Sequence, residues 1–421
     1  MSPRTFINAA MRSAKRQVAV LTRDLRRDLK RGHPWVFADA VRLPAGIAPG
    51  TLVTLERDQR VVGQGYADPE GPLAIRMLTT DPKETVDAAI AQHLTAAIAL
   101  RKSLFPSHEV GRDGGRDGGR DGGRDDGGKV SGYRVVNGEG DGLPGLVVDR
   151  YGDVLVIKTD GPIADAFWDV TALAEHLAEA LGVATVYGRA RSRGGAEGRP
   201  LLGAAPGLTP FREGPATLWV DVVNGQKTGY FLDQREHRIR VGSMAAGRRV
   251  LNMFGYNGGF SIQAGKGGAR HVTTVDLAAP AIAEADRCWA ANGLDPALHR
   301  GVTADAFAFL EAADAASYDL VVLDPPAFAP NRKSLPQALA AYQRLAGLGA
   351  RVTSPGGILL LASCSAHVTM TELIGTIEEG VSAARRKADV LAIGGQPPDH
   401  PWPLACPELA YLKAVYLRIR D

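Results

Sequence analysis

The sequence predicts an α/β protein in which residues 218–421 form a doubly wound, mostly parallel sheet, preceded by a small β domain and an α+β unit. Three observations predict this. First, RRVLNMF, HVTTVDL, YDLVVLDPP and GGILLLASCS are short, almost continuous apolar runs, as expected of strands buried on both faces. Second, helix-like segments separate them: GFSIQAGKG, APAIAEADRCWAANG, DAFAFLEAAD and LPQALAAYQRLAGLGARV. Strands alternating with helices make a parallel sheet covered on both sides. Third, residues 17–80 follow a different rhythm. QVAVLTRDL, GTLVTLERD, RVVGQGYAD and LAIRMLTT are alternating runs broken by Gly, Pro and Asp, the pattern of short one-sided strands.

The elements follow in order. Residues 1–82 are a β domain with a basic tail, whose strands are interrupted by GHPWVFADAV. Residues 83–130 are a linker. ETVDAAIAQHLTAAIALRKSLF has apolar residues at helical spacing, and GRDGGRDGGRDGGRDDGG then repeats without one apolar side chain. Such a tract cannot offset the entropy of ordering and predicts a flexible surface loop. Residues 131–217 are the α+β unit, with strands and tight turns in YRVVNGEGDGLPGLVVDRYGDVLVIKTD, one amphipathic helix in IADAFWDVTALAEHLAEAL and a strand in ATVYGRA. At the far end, LAYLKAVYLRI alternates and predicts a strand joining the last sheet antiparallel.

Composition narrows the class. A chain of 421 residues with 45% hydrophobic and 23% charged residues reads as an ordinary soluble globular protein. Cys288, Cys364 and Cys406 are too few and too scattered for a disulfide framework or a CxxC metal site, so no metal is expected. That usage suits a reducing compartment. No apolar stretch reaches membrane-spanning length, and the N-terminus lacks a signal peptide's apolar core. A cytoplasmic protein without membrane partners is expected. The net charge is only +3, but Arg4, Arg12, Lys15, Arg16, Arg23, Arg26, Arg27, Lys30 and Arg31 are opposed by Asp24 and Asp28 alone before residue 32. Such a cluster attracts phosphate; it is equally the composition of a solvated tail.

A nucleoside-binding pattern follows residue 249. VLNMF runs into GYNGGFS, a turn resembling the glycine-rich loop of a Rossmann fold without matching GxGxxG. Gly255, Gly258 and Gly259 would let the backbone approach a ligand. Asp276 ends TTVDL, 22 positions after Phe254, where an acid holds a ribose diol. Asp305, in TADAF, follows the next strand-like segment and could accept from an adenine amino group. Each acid could also be a helix N-cap. Asp324-Pro325-Pro326-Ala327-Phe328 then sets a carboxylate at a strand end on a stiff turn. Together these acids point to S-adenosylmethionine rather than a dinucleotide. Finally, LLLASCSAHVTM puts Cys364 at the tip of a buried strand, between Ser363 and Ser365 and before His367. From the residues alone it is a packed thiol, a metal ligand or a nucleophile. His367 tunes that thiol or caps the next helix.

These motifs together resemble the class I methyltransferases acting on large-subunit ribosomal RNA that carry an N-terminal PUA domain, and among them the members forming 5-methylcytosine in 23S RNA. KRGHPWVF is similar to the PUA signature, and YRVVNGEGDGLPGLVVDRY to the middle, EEHEAD, domain. NGQKTGYFLDQREHR, VLNMFGYNGGFS, LDPPAF, SCSAHV and DHP…PELAYLK resemble the catalytic domain, so the likeness covers nearly the whole chain. The GRDGG insert departs from the pattern. The resemblance implies a Rossmann-like domain with a seven-stranded mostly parallel sheet, and S-adenosylmethionine as cofactor. It implies that Asn252, Phe254, Tyr256 and Gly258 line the cofactor, that Asp276 takes the ribose and Asp305 the adenine. Lys227 or Arg235 would meet the methionine carboxylate. Carbon 5 of cytosine becomes reactive once a thiolate adds to carbon 6. Cys364 is then the nucleophile and Asp324 the partner on the base edge, with the elimination base unassigned. Pro325, Pro326 and Phe328 would frame the flipped base, Tyr256 adding a second aromatic face. His33, Trp35 and Arg134 would grip RNA, GHPW being equally a structural corner. Ribosomal RNA is the expected partner, and a homodimer is possible. Three rivals stand beside this reading: methylation of a guanine N7 or exocyclic amine, which needs no thiol; an RNA-binding assembly factor without turnover; and a small-molecule methyltransferase.

Overall fold

The computed structural model describes residues 5–12, 17–106, 130–189, 198–329 and 331–421. The GRDGG repeat, and Arg4, Lys15 and Arg16 of the basic tail, lie outside the described residues. No helix among the described residues is long and apolar enough to cross a membrane.

Strands β1 (Val18–Leu21), β2 (Trp35–Phe37), β3 (Val41–Arg42), β4 (Leu52–Arg57), β5 (Arg60–Ala67) and β6 (Leu73–Thr79) form a six-stranded sheet in the order β2-β6-β5-β4-β1-β3. Its alternating residues, such as Ala19, Leu21, Val53 and Leu55, point into one core. QVAVLTRDL is only partly strand. After Leu21 the chain turns into a short basic helix, α1 (Arg26–Lys30), which buries Leu29 and leaves Arg27 and Lys30 in solvent.

Helix α2 (Val86–Leu104) starts where the Thr85 side chain accepts the amide of Ala88, and carries Arg101 and Lys102 at its last turn, matching both ends of the helix dipole. Next come β7 (Gly132–Asn137), β8 (Leu146–Tyr151), β9 (Val154–Thr159), β10 (Thr185–Gly188) and β11 (Arg199–Leu202), in the order β11-β10-β9-β8-β7. The helix expected between β9 and β10 is two: α3 (Gly161–Phe167) and α4 (Val170–Leu181). Trp168 is extended, and the Asp169 carboxylate accepts the amides of Thr171 and Ala172, starting the chain's helix afresh.

A hairpin of β12 (Leu208–Glu213) and β13 (Ala216–Asp221) follows. The boundary expected at 217/218 therefore cuts a strand. The hairpin bridges two units: Arg212 exchanges bonds with Ser131 beside β7 and Phe211 packs edge-on to Tyr151 of β8, while Glu213 is buried against Arg238 of the last unit at 2.5–2.8 Å and accepts from Gln263. That unit contains α5 (Arg235–Ser243), β14 (Arg249–Met253), α6 (Gly259–Lys266), β15 (His271–Asp276), α7 (Ala279–Ala291), β16 (His299–Thr303) and α8 (Ala306–Ala312). It continues through β17 (Tyr318–Leu323), α9 (Leu335–Val352), β18 (Thr353–Ser363), α10 (Met370–Ala383), β19 (Lys387–Gly394) and β20 (Lys413–Arg420).

The seven described strands of this sheet run β16-β15-β14-β17-β18-β20-β19, parallel except for β20, which pairs antiparallel with both neighbours. The four apolar runs are its centre. Leu251, Val321, Leu359 and Leu361 face α8, α9 and α10, while Val250, Val322 and Leu360 face α5 and α6. From β14 the chain winds outward through β15 and β16, then crosses back to β17 and β18. The order reverses between β14 and β17, and a crevice opens at the carboxyl ends of strands at such a point.

Candidate active site

Two strand-end turns flank that crevice. On the β14 side the turn is held in unusual backbone conformations, with Phe254 at φ +57°, Tyr256 at +47° and Gly258 at +83°. Positive φ costs a bulky residue conformational energy and marks a turn fixed by its surroundings. Asp276, at the end of β15, does the fixing: Oδ2 accepts the Tyr256 amide and Oδ1 the Ala278 amide, both at 2.9 Å. Each carboxylate oxygen keeps lone pairs for a diol. Asn252 is buried at the end of β14. Its Nδ2 donates to Ser261 at 2.9 Å, while Oδ1 has no protein partner. Asp305 is the N-cap of α8, accepting the Ala308 amide at 3.0 Å. The capping role is realised there, and the exposed carboxylate remains able to accept a second donor.

The second wall is residues 224–235. Lys227 is half in solvent, its Nζ 3.1 Å from Asp233 and 4.4 Å from the centre of the Phe231 ring. Asp233 Oδ2 also accepts from Tyr411 at 2.8 Å, and Oδ1 is buried without a partner. Burial alone would raise Asp233, but Lys227 and His400 outweigh it and hold the carboxyl below the usual range. Gln234 donates from Nε2 to Asp324 at 2.8 Å and leaves Oε1 unpaired. Arg235 corrects an expectation. Its guanidinium is buried and closed by two 2.8 Å bonds to Asp399, so it is no partner for a cofactor carboxylate. The polar atoms left over are acceptors on Asn252, Asp233 and Gln234, and Asp276 adds spare lone pairs. That donor-poor, acceptor-rich set suits the ammonium and ribose hydroxyls of S-adenosylmethionine.

Asp324 and Cys364 stand on adjacent strands. Leu323 of β17 pairs with Leu361 of β18, so both residues lie just beyond paired strand ends. Burial, then the charge of Asp233, pushes the Asp324 carboxyl up to about 7. Hydroxyls knit the cysteine turn to the Asp-Pro-Pro turn. Ser363 Oγ accepts the Ser365 amide, and Ser365 Oγ accepts the Ala329 amide and lies 3.2 Å from the Tyr342 hydroxyl. Lys413 donates to the Ser365 carbonyl at 2.6 Å from the far side. Cys364 is half-buried. Burial, then ionised Asp324, raises its thiol, and Lys227 acts against that rise. Pro325 is buried, Pro326 exposed, and the Phe328 ring packs 4.9 Å from Tyr342. His367 does not cap α10: Thr369 does, in a capping box with Glu372.

The expected RNA contacts lie elsewhere and do other work. Arg134 is closed in a two-pronged pair with buried Asp149 and bonded to Asn137, so it is structural. Trp35 donates to Glu139 at 3.0 Å, and Glu139 also takes Arg76 at 2.7 Å. GHPW is therefore the corner between the first and second sheets, His33 packing edge-on to Trp35. Sequence reasoning passed over Asp233, Gln234, Tyr411 and Lys413, although FLDQREHR and PELAYLK were both singled out. For Asp233 and Gln234 the available signal was a carboxylate and an amide side by side directly after the apolar Phe231-Leu232.

Gly258 offers a direct test of the turn. A Cβ there would lie 2.8 Å from the Ala285 Cβ, on a backbone at φ +83°. Gly258→Ala is expected to destabilise the fold by about 1–3 kcal/mol and to weaken S-adenosylmethionine binding. Denaturant unfolding and calorimetric titration read the two effects.

Residues 210–401 match the S-adenosylmethionine-dependent methyltransferase family, and residues 20–80 match a PUA-like domain. A ribosomal RNA large subunit methyltransferase of Deinococcus radiodurans is 39% identical over 407 residues, 93% of this chain and 94% of that protein. Ribosomal RNA large subunit methyltransferase I of Shewanella denitrificans is 33% identical over 93% of this chain and 97% of that one. Among solved structures, a candidate S-adenosylmethionine-dependent methyltransferase from Streptococcus mutans shares the fold, with TM-score 0.74 at 22% identity over 95% of this chain and 99% of its own. With nearly full-length likeness to these relatives, the chain belongs to the S-adenosylmethionine-dependent methyltransferase family of the ribosomal RNA large subunit methyltransferases.

Proposed function

We propose that this protein methylates carbon 5 of a cytosine in large-subunit ribosomal RNA through a covalent Cys364 adduct. The observation that carries the reading is Cys364 beside Asp324, two turns tied together by Ser363 and Ser365 at the crevice. S-adenosylmethionine supplies an electrophilic methyl group. Asp276 would hold its ribose, Asp305 its adenine, and Asn252, Phe254, Tyr256 and Gly258 would line it, with Lys227 toward the methionine carboxylate. Pro325, Pro326 and Phe328 would frame the base.

The Cys364 sulfur bonds to carbon 6, and the electrons of the 5,6 double bond become available at carbon 5 when the N3 edge takes a proton. A carboxyl with its pKa near 7 is half-protonated at neutral pH and can supply that proton; Asp324 has that value. Carbon 5 then takes the methyl group and S-adenosylhomocysteine leaves; loss of the carbon-5 proton to a base re-forms the double bond and expels the thiolate, and the N3 proton returns to Asp324. RNA phosphate would be met by the exposed face of α1, where Arg27, Lys30 and Arg31 lie in solvent.

One observation favours the rival reaction, at guanine N7 or an exocyclic amine: burial keeps Cys364 a thiol rather than a thiolate. The experiment that separates them incubates the protein with labelled S-adenosylmethionine and deproteinised ribosomal RNA, then identifies the modified nucleoside. 5-Methylcytosine is expected. A methylated guanine or adenine replaces this reading with the rival, and no labelled RNA under conditions of cofactor binding leaves the non-catalytic assembly factor.

A further inference from the structure

Away from the crevice, the fold brings His33 of the N-terminal domain to two side chains near the far end of the chain. A ring nitrogen of His33, the Cys406 sulfur and a Glu408 carboxylate oxygen all lie within 4.8 Å of one another. We propose that His33, Cys406 and Glu408 form a divalent metal site with the ligand chemistry of zinc, joining the N-terminal β domain to the loop before β20.

Three features support it. The ligand set is one thiolate, one imidazole and one carboxylate. That mixture suits a borderline-soft dication in tetrahedral coordination, with a water in the fourth position. Tetrahedral ligands at zinc distances are roughly 3.3–3.7 Å apart, so closing the site takes side-chain movements of about 1 Å. Next, the ligands are oriented from behind. His33 Nδ1 lies 3.1 Å from the Trp35 carbonyl and 3.3 Å from the Trp35 amide, which hold the ring in place; in the tautomer that donates to the carbonyl, Nε2 keeps its lone pair for a metal. Cys406 caps the short 3-10 turn Pro407–Leu409 that carries Glu408 two positions on, pinned by Cys406 N to Pro403 O at 2.8 Å and Leu409 N to Cys406 O at 3.2 Å. Finally, Cys406 is fully buried and has no disulfide partner, while Glu408 is exposed and gives a route in. Burial and the neighbouring carboxylate push the free thiol up to about 12, so binding must displace its proton: thiol plus dication gives metal thiolate plus one proton released to solvent.

The consequence reaches the crevice. The same loop carries Tyr411, bonded to Asp233, and leads into Lys413, bonded to the Ser365 carbonyl. A metal at Cys406 would hold both in place from the opposite side of the chain. The inference does not depend on which base is methylated.

The test uses full-length protein stripped with a chelator and titrated with Co²⁺, then with Zn²⁺ as competitor. One Co²⁺ per chain is expected, with a near-ultraviolet thiolate-to-cobalt band that Zn²⁺ removes, and with a raised unfolding temperature on Zn²⁺ addition. Cys406→Ser should lose the band and the temperature shift, while Cys364→Ser should keep both. Glu408→Gln, at an exposed position, removes an anionic ligand and should keep the band while binding more weakly, which tests the site if Cys406→Ser does not fold. No stoichiometric uptake, a band that survives Cys406→Ser, or one lost in Cys364→Ser would overturn the site and leave Cys406 as a thiol donating to Glu408.

Discussion

Cys364→Ala is expected to abolish methyl transfer, by about 10⁴-fold or more, without loss of S-adenosylmethionine binding. The side chain lies beyond the end of β18, and the backbone around it is held by Ser363, Ser365 and Lys413 rather than by the sulfur. Removing the thiol therefore leaves the turn and the glycine loop of β14 in place. Labelled methyl transfer to RNA and calorimetric cofactor binding measure the two halves. Transfer that persists in the variant would show that Cys364 only packs. The pH dependence carries a second expectation. The reactive form needs a thiolate at Cys364 and a proton at Asp324. Burial and the Asp324 charge raise the thiol, while the carboxyl titrates near 7. The wild-type kcat/KM should therefore climb to a plateau above pH 7 and fall again as the thiol ionises, a bell set by the pair rather than by either group. Asp324→Asn removes the fall at high pH, leaving a rate that only rises until the thiol has ionised, and is expected to cost about 10²–10³-fold.

The parts of this arrangement that were legible in the sequence are those written in local pattern. Continuous apolar runs such as VLNMF and ILLLAS could only be central strands, and helix-spaced segments between them forced the doubly wound order. LAYLKAVYLRI does hold the antiparallel strand β20, but Lys413–Leu417 are buried in succession and only its last residues alternate with solvent. Lys387–Gly394 was missed as a strand because it lies at the edge, with Val390, Leu391 and Ile393 half-exposed, and so lacks a buried pattern. At the site, Asp276, Asp324 and Cys364 were legible because each ends an apolar run. Arg134 and Arg235 were misread for a physical reason: a sequence shows an arginine's charge but not the aspartate that closes it. Asp149 is fifteen positions from the first, and Asp399 is 164 positions from the second. Trp35 likewise reads as an exposed aromatic until Glu139 takes its indole nitrogen. Long-range polar pairing leaves no periodicity.

That pairing leads to the largest expected stability effect. Asp399 is fully buried where three parts of the chain meet. Its two oxygens take Arg235 at 2.8 Å each, one of them also takes the Arg134 amide at 2.9 Å, and its carbonyl takes Arg101 at 2.7 Å. Arg101 is itself closed on Asp141, and Arg235 lies 4.9 Å over the Phe105 ring. Asp399→Ala would leave the buried Arg235 guanidinium and the Arg134 amide without their acceptor, and breaking such a pair costs about 3–5 kcal/mol. That is a large share of the roughly 5–15 kcal/mol that holds a domain folded. The double variant Arg235→Met/Asp399→Leu removes both charges and keeps the volume, so it should recover most of that loss. Denaturant unfolding of the two single variants and the double closes the cycle, and additive losses would refute the coupling. The sign with pH follows from Asp399. Burial alone would raise its carboxyl, but His400 and Arg235 hold it well below the usual range. A carboxyl depressed in the folded state contributes stability above its unfolded value near 4 and loses it as pH falls further. Wild type should therefore weaken below about pH 4, and Asp399→Asn, already less stable at neutral pH, should show a shallower decline over that range.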